Sequence, residues 1–230
     1  RISYPPHRVL LKNKVESALP RHSGRQIMKK VFLATNNQGK IERFKNLVAQ
    51  VDPSIQILTP KDLNIEPLDT EETGTTLQEN AELKARAYFG KVDMPILAND
   101  TGFWVKGEGL VDTPKRTALG ETDEHTLTKE EIAERLLSFW KGIATKNGGQ
   151  VDAAWVESFV VINPDRTLKV ADSRREVVLT DQEFGKAHIQ MPVRALYYSK
   201  ATNKPAIQHT EEEEKIEMKP IVDALAKVLE

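Results

Sequence analysis

The sequence predicts an α/β domain, with a mixed β-sheet flanked by helices. Three observations predict it. Short apolar runs at 31–34, Ile55–Leu58 and 94–98 have the length and character of buried strands. Apolar residues recur at helical spacing between and after them. Two longer extended runs, 154–162 and 168–179, flank the turn chemistry of Asn163-Pro164-Asp165-Arg166. There is no internal repeat and no low-complexity linker.

In chain order, residues 1–27 are basic, carry Pro5, Pro6 and Pro20, and show weak periodicity. Met28 stands directly before the first convincing strand, so 28–230 reads as a single domain. Residues 1–27 then read as upstream translation, a leader or a flexible arm, with a transit peptide as the other reading. The first strand passes into Thr35-Asn36-Asn37-Gln38-Gly39-Lys40, and Ile41, Phe44, Leu47, Val48 and Val51 then mark a helix. This loop sets amides, a hydroxyl, a carboxamide and an ammonium at a helix N-terminus. Unpaired N–H groups and the helix dipole favour an anion there, and phosphate is the natural guest. A polar strand–helix loop that binds nothing is the plainer reading. The spacing is not that of a P-loop.

An acidic segment, 66–74, leads into Thr76-Leu77-Gln78-Glu79, which fits a capping box. Leu77, Ala81, Ala85 and Tyr88 share one face of the helix it starts. The run 94–98 ends in Asn99-Asp100-Thr101-Gly102, and 103–105 resumes extended character. A carboxylate at the end of a buried strand lies where open α/β sheets hold ligands. The competing reading is an Asx-turn in which Asp100 only closes a chain reversal.

Residues 106–127 read as a loop. Thr128 and Glu131 make a second capping box, before a helix on Ile132, Leu136, Phe139 and Ile143 that ends at Asn147-Gly148-Gly149. A further short strand is expected near 195–198. The acidic run 211–214 reads as a solvated helix start. Pro220 is expected in a first turn, opening a closing helix on Ile221, Val222, Leu225, Val228 and Leu229.

Composition narrows function. Of the residues, 39% are hydrophobic and 29% charged, which suits a globular chain rather than a disordered one. A net charge of -1 gives no general attraction to nucleic acid or to a membrane surface. There is no cysteine, so disulfides and thiolate–zinc sites are excluded and a cytoplasmic setting is permitted. No apolar run approaches a transmembrane length. The five histidines lack metal-ligand spacing, and neither G-x-S-x-G nor G-x-G-x-x-G occurs. Glu71, Glu72 and Asp100 remain as hard oxygen ligands. With a phosphate loop, they are what a Mg²⁺–polyphosphate site needs.

Three segments in order carry a resemblance: Ala34-Thr35-Asn36-Asn37-Gln38-Gly39-Lys40, then Glu71-Glu72-Thr73-Gly74-Thr75-Thr76-Leu77-Gln78-Glu79-Asn80-Ala81-Glu82-Leu83-Lys84-Ala85, then Ala98-Asn99-Asp100-Thr101-Gly102-Phe103. The chain resembles the inosine triphosphate pyrophosphatase family, the Ham1-like enzymes acting on non-standard purine nucleoside triphosphates. The likeness is clear over about 29–105 and thinner beyond. It implies a long twisted mixed sheet in two lobes, an active cleft between them, and a homodimer. It also implies Mg²⁺-dependent cleavage of a nucleoside triphosphate to monophosphate and pyrophosphate.

By position, the resemblance implies that Thr35, Asn37 and Lys40, within the loop that includes Asn36 and Gly39, hold the triphosphate. Glu71 would bind Mg²⁺. Asp100 would bind it too and act as general base. Thr101 keeps the hydroxyl of the family's serine. Lys84 would reach phosphate or lie on an exposed helix face.

The chain departs from the family at Asn99, which replaces the first of two aspartates. It departs more at the base-reading segments. Gly185-Lys186-Ala187-His188-Ile189-Gln190-Met191-Pro192-Val193-Arg194 stands where a glycine-rich motif belongs. Lys215 fits the expected lysine, but Lys219-Pro220-Ile221 replaces serine–histidine–arginine. The resemblance therefore implies a pyrophosphatase with altered or relaxed base preference. The rival reading is a catalytically retired nucleotide-binding relative that senses or scaffolds.

Overall fold

A computed structural model describes residues 29–111 and 114–230. The expectations for 1–27 and for Met28 lie outside these residues. Eight strands form one mixed sheet: β1 (Lys29–Leu33), β2 (Ile55–Leu58), β3 (Ile96–Val105), β4 (Gly109–Val111), β5 (Gln150–Ile162), β6 (Leu168–Thr180), β7 (Tyr197–Ser199) and β8 (Lys204–Pro205). Their order is β2-β1-β3-β5-β6-β7-β8, with β4 beside β3. β1 runs parallel to β2 and β3, and every other pairing is antiparallel.

Five α-helices cover the sheet: α1 (Gln38–Val51), α2 (Leu77–Tyr88), α3 (Pro114–Leu119), α4 (Lys129–Lys146) and α5 (Glu211–Leu229). Three of them start at capping boxes, Thr76 with Glu79, Thr128 with Glu131 and Thr210 with Glu213. Each satisfies backbone N–H groups that a helix leaves unpaired at its first turn.

Three apolar clusters define two lobes. In the first lobe, α1 and α5 pack on one sheet face around Phe44, Leu97, Phe159 and Ile221. On the opposite face α2 packs around Phe32, Tyr88, Ala98 and Val160. The third cluster, Phe103, Trp140, Val177, Leu196 and Tyr197, makes the second lobe under α4. β3, β5 and β6 run through both lobes and join them.

The structure changes several sequence expectations. The stretch 99–102 makes no turn, because β3 is continuous and Asp100 pairs with Ser158 of β5. A Cβ at Gly102 would stand 2.5 Å from Leu110 Cδ1 on β4, so that exposed side chain would have to turn aside. The expected loop at 106–127 holds β4, α3 and a 3-10 turn at Glu124–Thr126. On α4 the fully buried residues are Ala133, Trp140 and Ala144. The apolar stripe expected there is only half-buried, because small residues let the helix approach the sheet. The strand expected at 195–198 is a 3-10 turn, Pro192–Ala195, followed by β7. Pro220 does not open a helix; it lies inside α5, which the Thr210 capping box has already started nine residues earlier.

Candidate active site

β1 stops at Leu33, opposite Leu97, while β4 begins its pairing at Phe103. Between these points no strand among the described residues neighbours this edge of β3, and a cavity opens beside it. The loop 34–37 and the start of α1 lie at this opening, at the carboxyl end of a parallel strand. Asn37 caps α1, its Oδ1 accepting from the Lys40 N–H at 3.1 Å, while its own N–H donates to Thr35 Oγ1 at 3.3 Å. Asn36, Asn37 and Gly39 are exposed, Thr35 and Lys40 half-buried.

A cavity of about 220 Å³ is lined here by Thr35, Asn36, Asn37, Lys40, Glu72 and Lys84, among others. The Lys84 ammonium donates to Asp100 Oδ1 and pairs with Glu72 Oε1, each at 2.8 Å. Burial, with Lys84 close by, lowers the pKa of Lys40 against the pull of Asp100, Glu157 and Glu72. Such a lysine gains most when an anion arrives.

The run before α2 is shaped for this arrangement. Asn80 Oδ1 accepts the Gly74 N–H at 2.8 Å, and a Cβ on Gly74 would stand 2.6 Å from that oxygen. Glu79 accepts from the N–H groups of Thr75 and Thr76. The turn is thereby locked, and it is Glu72 that meets Lys84. Glu71 is exposed, and its side chain has no partner among the described residues. Lys215 is exposed on α5 and lines neither the phosphate cavity nor the one described next.

Alternation along β3 sends Asp100 to the α2 face and Asn99 and Thr101 to the α1 face. On that second face lies Glu157, fully buried on β5. Arg43 grips it through two hydrogen bonds of 2.9 and 2.6 Å, and Arg175 adds one of 3.3 Å. Asn99 Nδ2 donates to Glu157 at 3.4 Å and to Thr101 Oγ1 at 2.9 Å; Thr101 Oγ1 lies 3.3 Å from Glu157. Burial acts to raise the Glu157 pKa, but Arg43, Arg175 and Lys40 outweigh it and hold it below its ordinary value. An aspartate at 99 would face this carboxylate, so the carboxamide is the group that fits. The Lys84–Asp100 pair lies on the other face, while Asn99 also lines the phosphate cavity with Lys40 and Lys84.

Arg175 continues the network to Glu217 at 3.1 Å. These groups floor a second cavity of about 310 Å³, lined also by Trp155, Arg194, Tyr197 and Glu214. Burial, with Glu217 beside it, pushes the Tyr197 hydroxyl up to about 12. The positions where the resemblance expects base readers do not serve it. Lys219 pairs with Asp223 in solvent, and Ile221 is fully buried in the core. The 3-10 turn Pro192–Ala195 instead brings Arg194 to the cavity, held on Glu214 and the Ala206 carbonyl. Sequence reasoning missed Glu157 and Arg175. For Glu157 the available signal was a charge followed by the apolar run of β5; Arg175 stands among the charges of β6 and gave no such signal.

The family model described as Ham1 family matches residues 31–227. The chain belongs to the Ham1 family. A Ham1 relative from Yersinia pseudotuberculosis, named dITP/XTP pyrophosphatase, is 30% identical over 187 residues, 81% of this chain and 89% of its own. One of the same name from Staphylococcus epidermidis is 34% identical over 120 residues, 49% of this chain; that match spans only 59% of the relative's length. Two solved Ham1 structures share the fold. The Staphylococcus aureus protein has a TM-score of 0.64 at 22% identity, covering 87% of this chain and 98% of its own. The Coxiella burnetii protein has 0.66 at 19%, covering 88% and 98%.

Proposed function

We propose that this Ham1 protein hydrolyses nucleoside triphosphates to the monophosphate and pyrophosphate. One observation supports it above the others: Glu72, Lys84 and Asp100 form a chain of contacts that meets the Lys40 loop at the opening beside β1. In this reading, N–H groups at the start of α1, with Thr35, Asn37 and the Lys40 ammonium, hold the phosphates. Lys84 fixes the Asp100 carboxylate, whose Oδ2 has no partner among the described residues and accepts the proton of the attacking water. Water adds at the α-phosphorus and the bond to the β-phosphate oxygen breaks. Lys40 and Lys84 stabilise the charge that gathers on the departing pyrophosphate.

Glu72 and Asp100 fit Mg²⁺. Each carboxylate has one oxygen on Lys84 and one without a protein partner among the described residues, and this ion takes one or two carboxylates with water and phosphate oxygens. When bound, the ion would offset phosphate charge and polarise the reacting water. In this reading Glu72, rather than the Glu71 that the resemblance implies, holds the ion.

The second cavity supports a base preference unlike one set by serine, histidine and arginine, since guanidinium groups and Glu214 line it instead. A homodimer and a cytoplasmic location belong to the same reading. The relatives' names, dITP/XTP pyrophosphatase, support the reaction type.

The test is incubation with ordinary and deaminated nucleoside triphosphates and Mg²⁺. Pyrophosphate is the expected product; orthophosphate, or no product from folded protein, overturns the reading. Sedimentation analysis checks the dimer.

A further inference from the structure

Away from the phosphate cavity, three ligating groups converge where the 3-10 turn Ala206–Gln208 enters α5. They are His209 Nδ1, Glu214 Oε2 and Glu217 Oε2, with all such atoms within 4.8 Å of one another. His209 Nδ1 lies 3.1 Å from Glu217 Oε2 and 3.5 Å from Glu214 Oε2. Two features set this cluster apart from an ordinary acidic patch. The side chains of His209 and Glu217 are each 1% exposed. Yet neither His209 Nδ1 nor Glu217 Oε2 has a hydrogen-bond partner among the described residues. Buried polar atoms without partners are costly, and such a pair needs an occupant.

The surroundings fix each group from behind. Thr202 Oγ1 lies 2.8 Å from His209 Nε2, which sets the ring and directs Nδ1 inward. Arg175 Nη1 holds Glu217 by its other oxygen, Oε1, leaving Oε2 to the cluster. Glu214 and Glu217 stand three residues apart on α5 and so share a face. Arg194 holds Glu214 by both oxygens, Oε2 included, and also donates to the Ala206 carbonyl, so an ion on Oε2 would have to share it with that guanidinium or displace it.

We infer that His209, Glu214 and Glu217 form a binding site for a divalent first-row transition ion of the zinc class. One imidazole and two carboxylates are ligands such an ion accepts, with the fourth place open to water. Bonds of about 2.0–2.1 Å in tetrahedral geometry put two ligand atoms about 3.3–3.4 Å apart. The observed 3.1 and 3.5 Å bracket that edge. The two carboxylates offset the ion's two charges. Arg175 and Arg194 oppose it, so the rival occupant is a single proton on His209. The half-exposed Glu214 gives a path from solvent and also lines the second cavity. An ion there would brace that wall by tying the 206–209 turn to α5.

The experiment is Co²⁺ titration of the full chain, read by visible absorption, with melting temperatures followed in parallel. One equivalent should give the intense band of a four-coordinate site, and Zn²⁺ should displace it. The band should persist in Asp100→Asn, which separates this site from the phosphate cavity. It should be lost in His209→Gln and need at least tenfold more Co²⁺ in Glu214→Gln, a half-exposed change that the fold tolerates. No band from folded wild-type protein overturns the inference and leaves the proton as occupant. A band indifferent to Glu214→Gln and His209→Gln, or one abolished by Asp100→Asn, overturns it equally.

Discussion

The two faces of β3 hold charge in opposite ways. On the α2 face, Asp100 meets only Lys84, and Lys84 is shared with Glu72, which is half open to solvent. On the α1 face, Glu157 is sealed from water and its oxygens are filled by Arg43, Arg175, Asn99 and Thr101. The first arrangement has unused oxygens and an open cavity, as a reacting centre needs. The second is saturated, as a structural support needs. Neighbouring residues on one strand thus do different work, because strand alternation sends them to different surroundings.

The largest expected effect falls on the open face. Asp100→Asn keeps size and the contact with Lys84 but removes the proton acceptor. A general base contributes about 10²–10⁴-fold, so pyrophosphate release should fall by about that factor, with the melting temperature little changed. Turnover within threefold of wild type would remove Asp100 from the chemistry.

The open face was legible in the sequence, and the sealed one was not. The loop 34–40, the run 71–85 and the stretch 98–103 are each short and local. Their capping groups lie three or four residues from what they bind, so spacing alone exposes them. Even there, the structure sets Glu72 against Lys84, next to the Glu71 that the resemblance implies as a ligand. Whether Glu71 or Glu72 faces Lys84 depends on how the turn held by Gly74 and Asn80 leads into α2, and composition does not carry that. The sealed network joins residues 114, 18 and 42 positions apart. No local pattern links Arg43 to Glu157. Glu157 beside the apolar run of β5 was the visible trace, and pairing of β5 with β6 was needed to join it to Arg175. The starts of α2 and α4 were likewise legible through their capping boxes, whereas the Thr210 box that starts α5 was not read. The buried face of α4 was not, because the closeness of its packing sets it rather than hydrophobicity alone.

The next effect falls on the sealed face and reads stability rather than turnover. Glu157→Gln takes the counter-charge from half-buried Arg43 and one of the two carboxylates from buried Arg175, which keeps Glu217. Breaking a buried pair in this way costs about 3–5 kcal/mol. Denaturant unfolding should show a loss of that order. A loss under about 1 kcal/mol, the scale of exposed pairs, would erase the distinction between the faces.

A smaller effect sharpens the open face itself. Glu72→Gln should raise the Mg²⁺ concentration needed for half-maximal turnover by about tenfold, roughly 1.4 kcal/mol. Glu71→Gln should leave it unchanged. The reverse ranking would restore Glu71 as the ligand and make the Glu72–Lys84 contact incidental.

The smallest effect is a slope with pH. The Glu157 carboxyl is held below its ordinary 4.5 in the folded protein. A depressed acid lends stability that is fully present above the unfolded value and is lost as pH falls through the folded one. The stability gap between wild type and Glu157→Gln should therefore stay constant from neutral pH down to about 5. It should begin to close only below 4.5, and by no more than about 1.4 kcal/mol per pH unit for one proton. Closure that begins near neutrality would mean that Glu157 does not set the charge balance of the network.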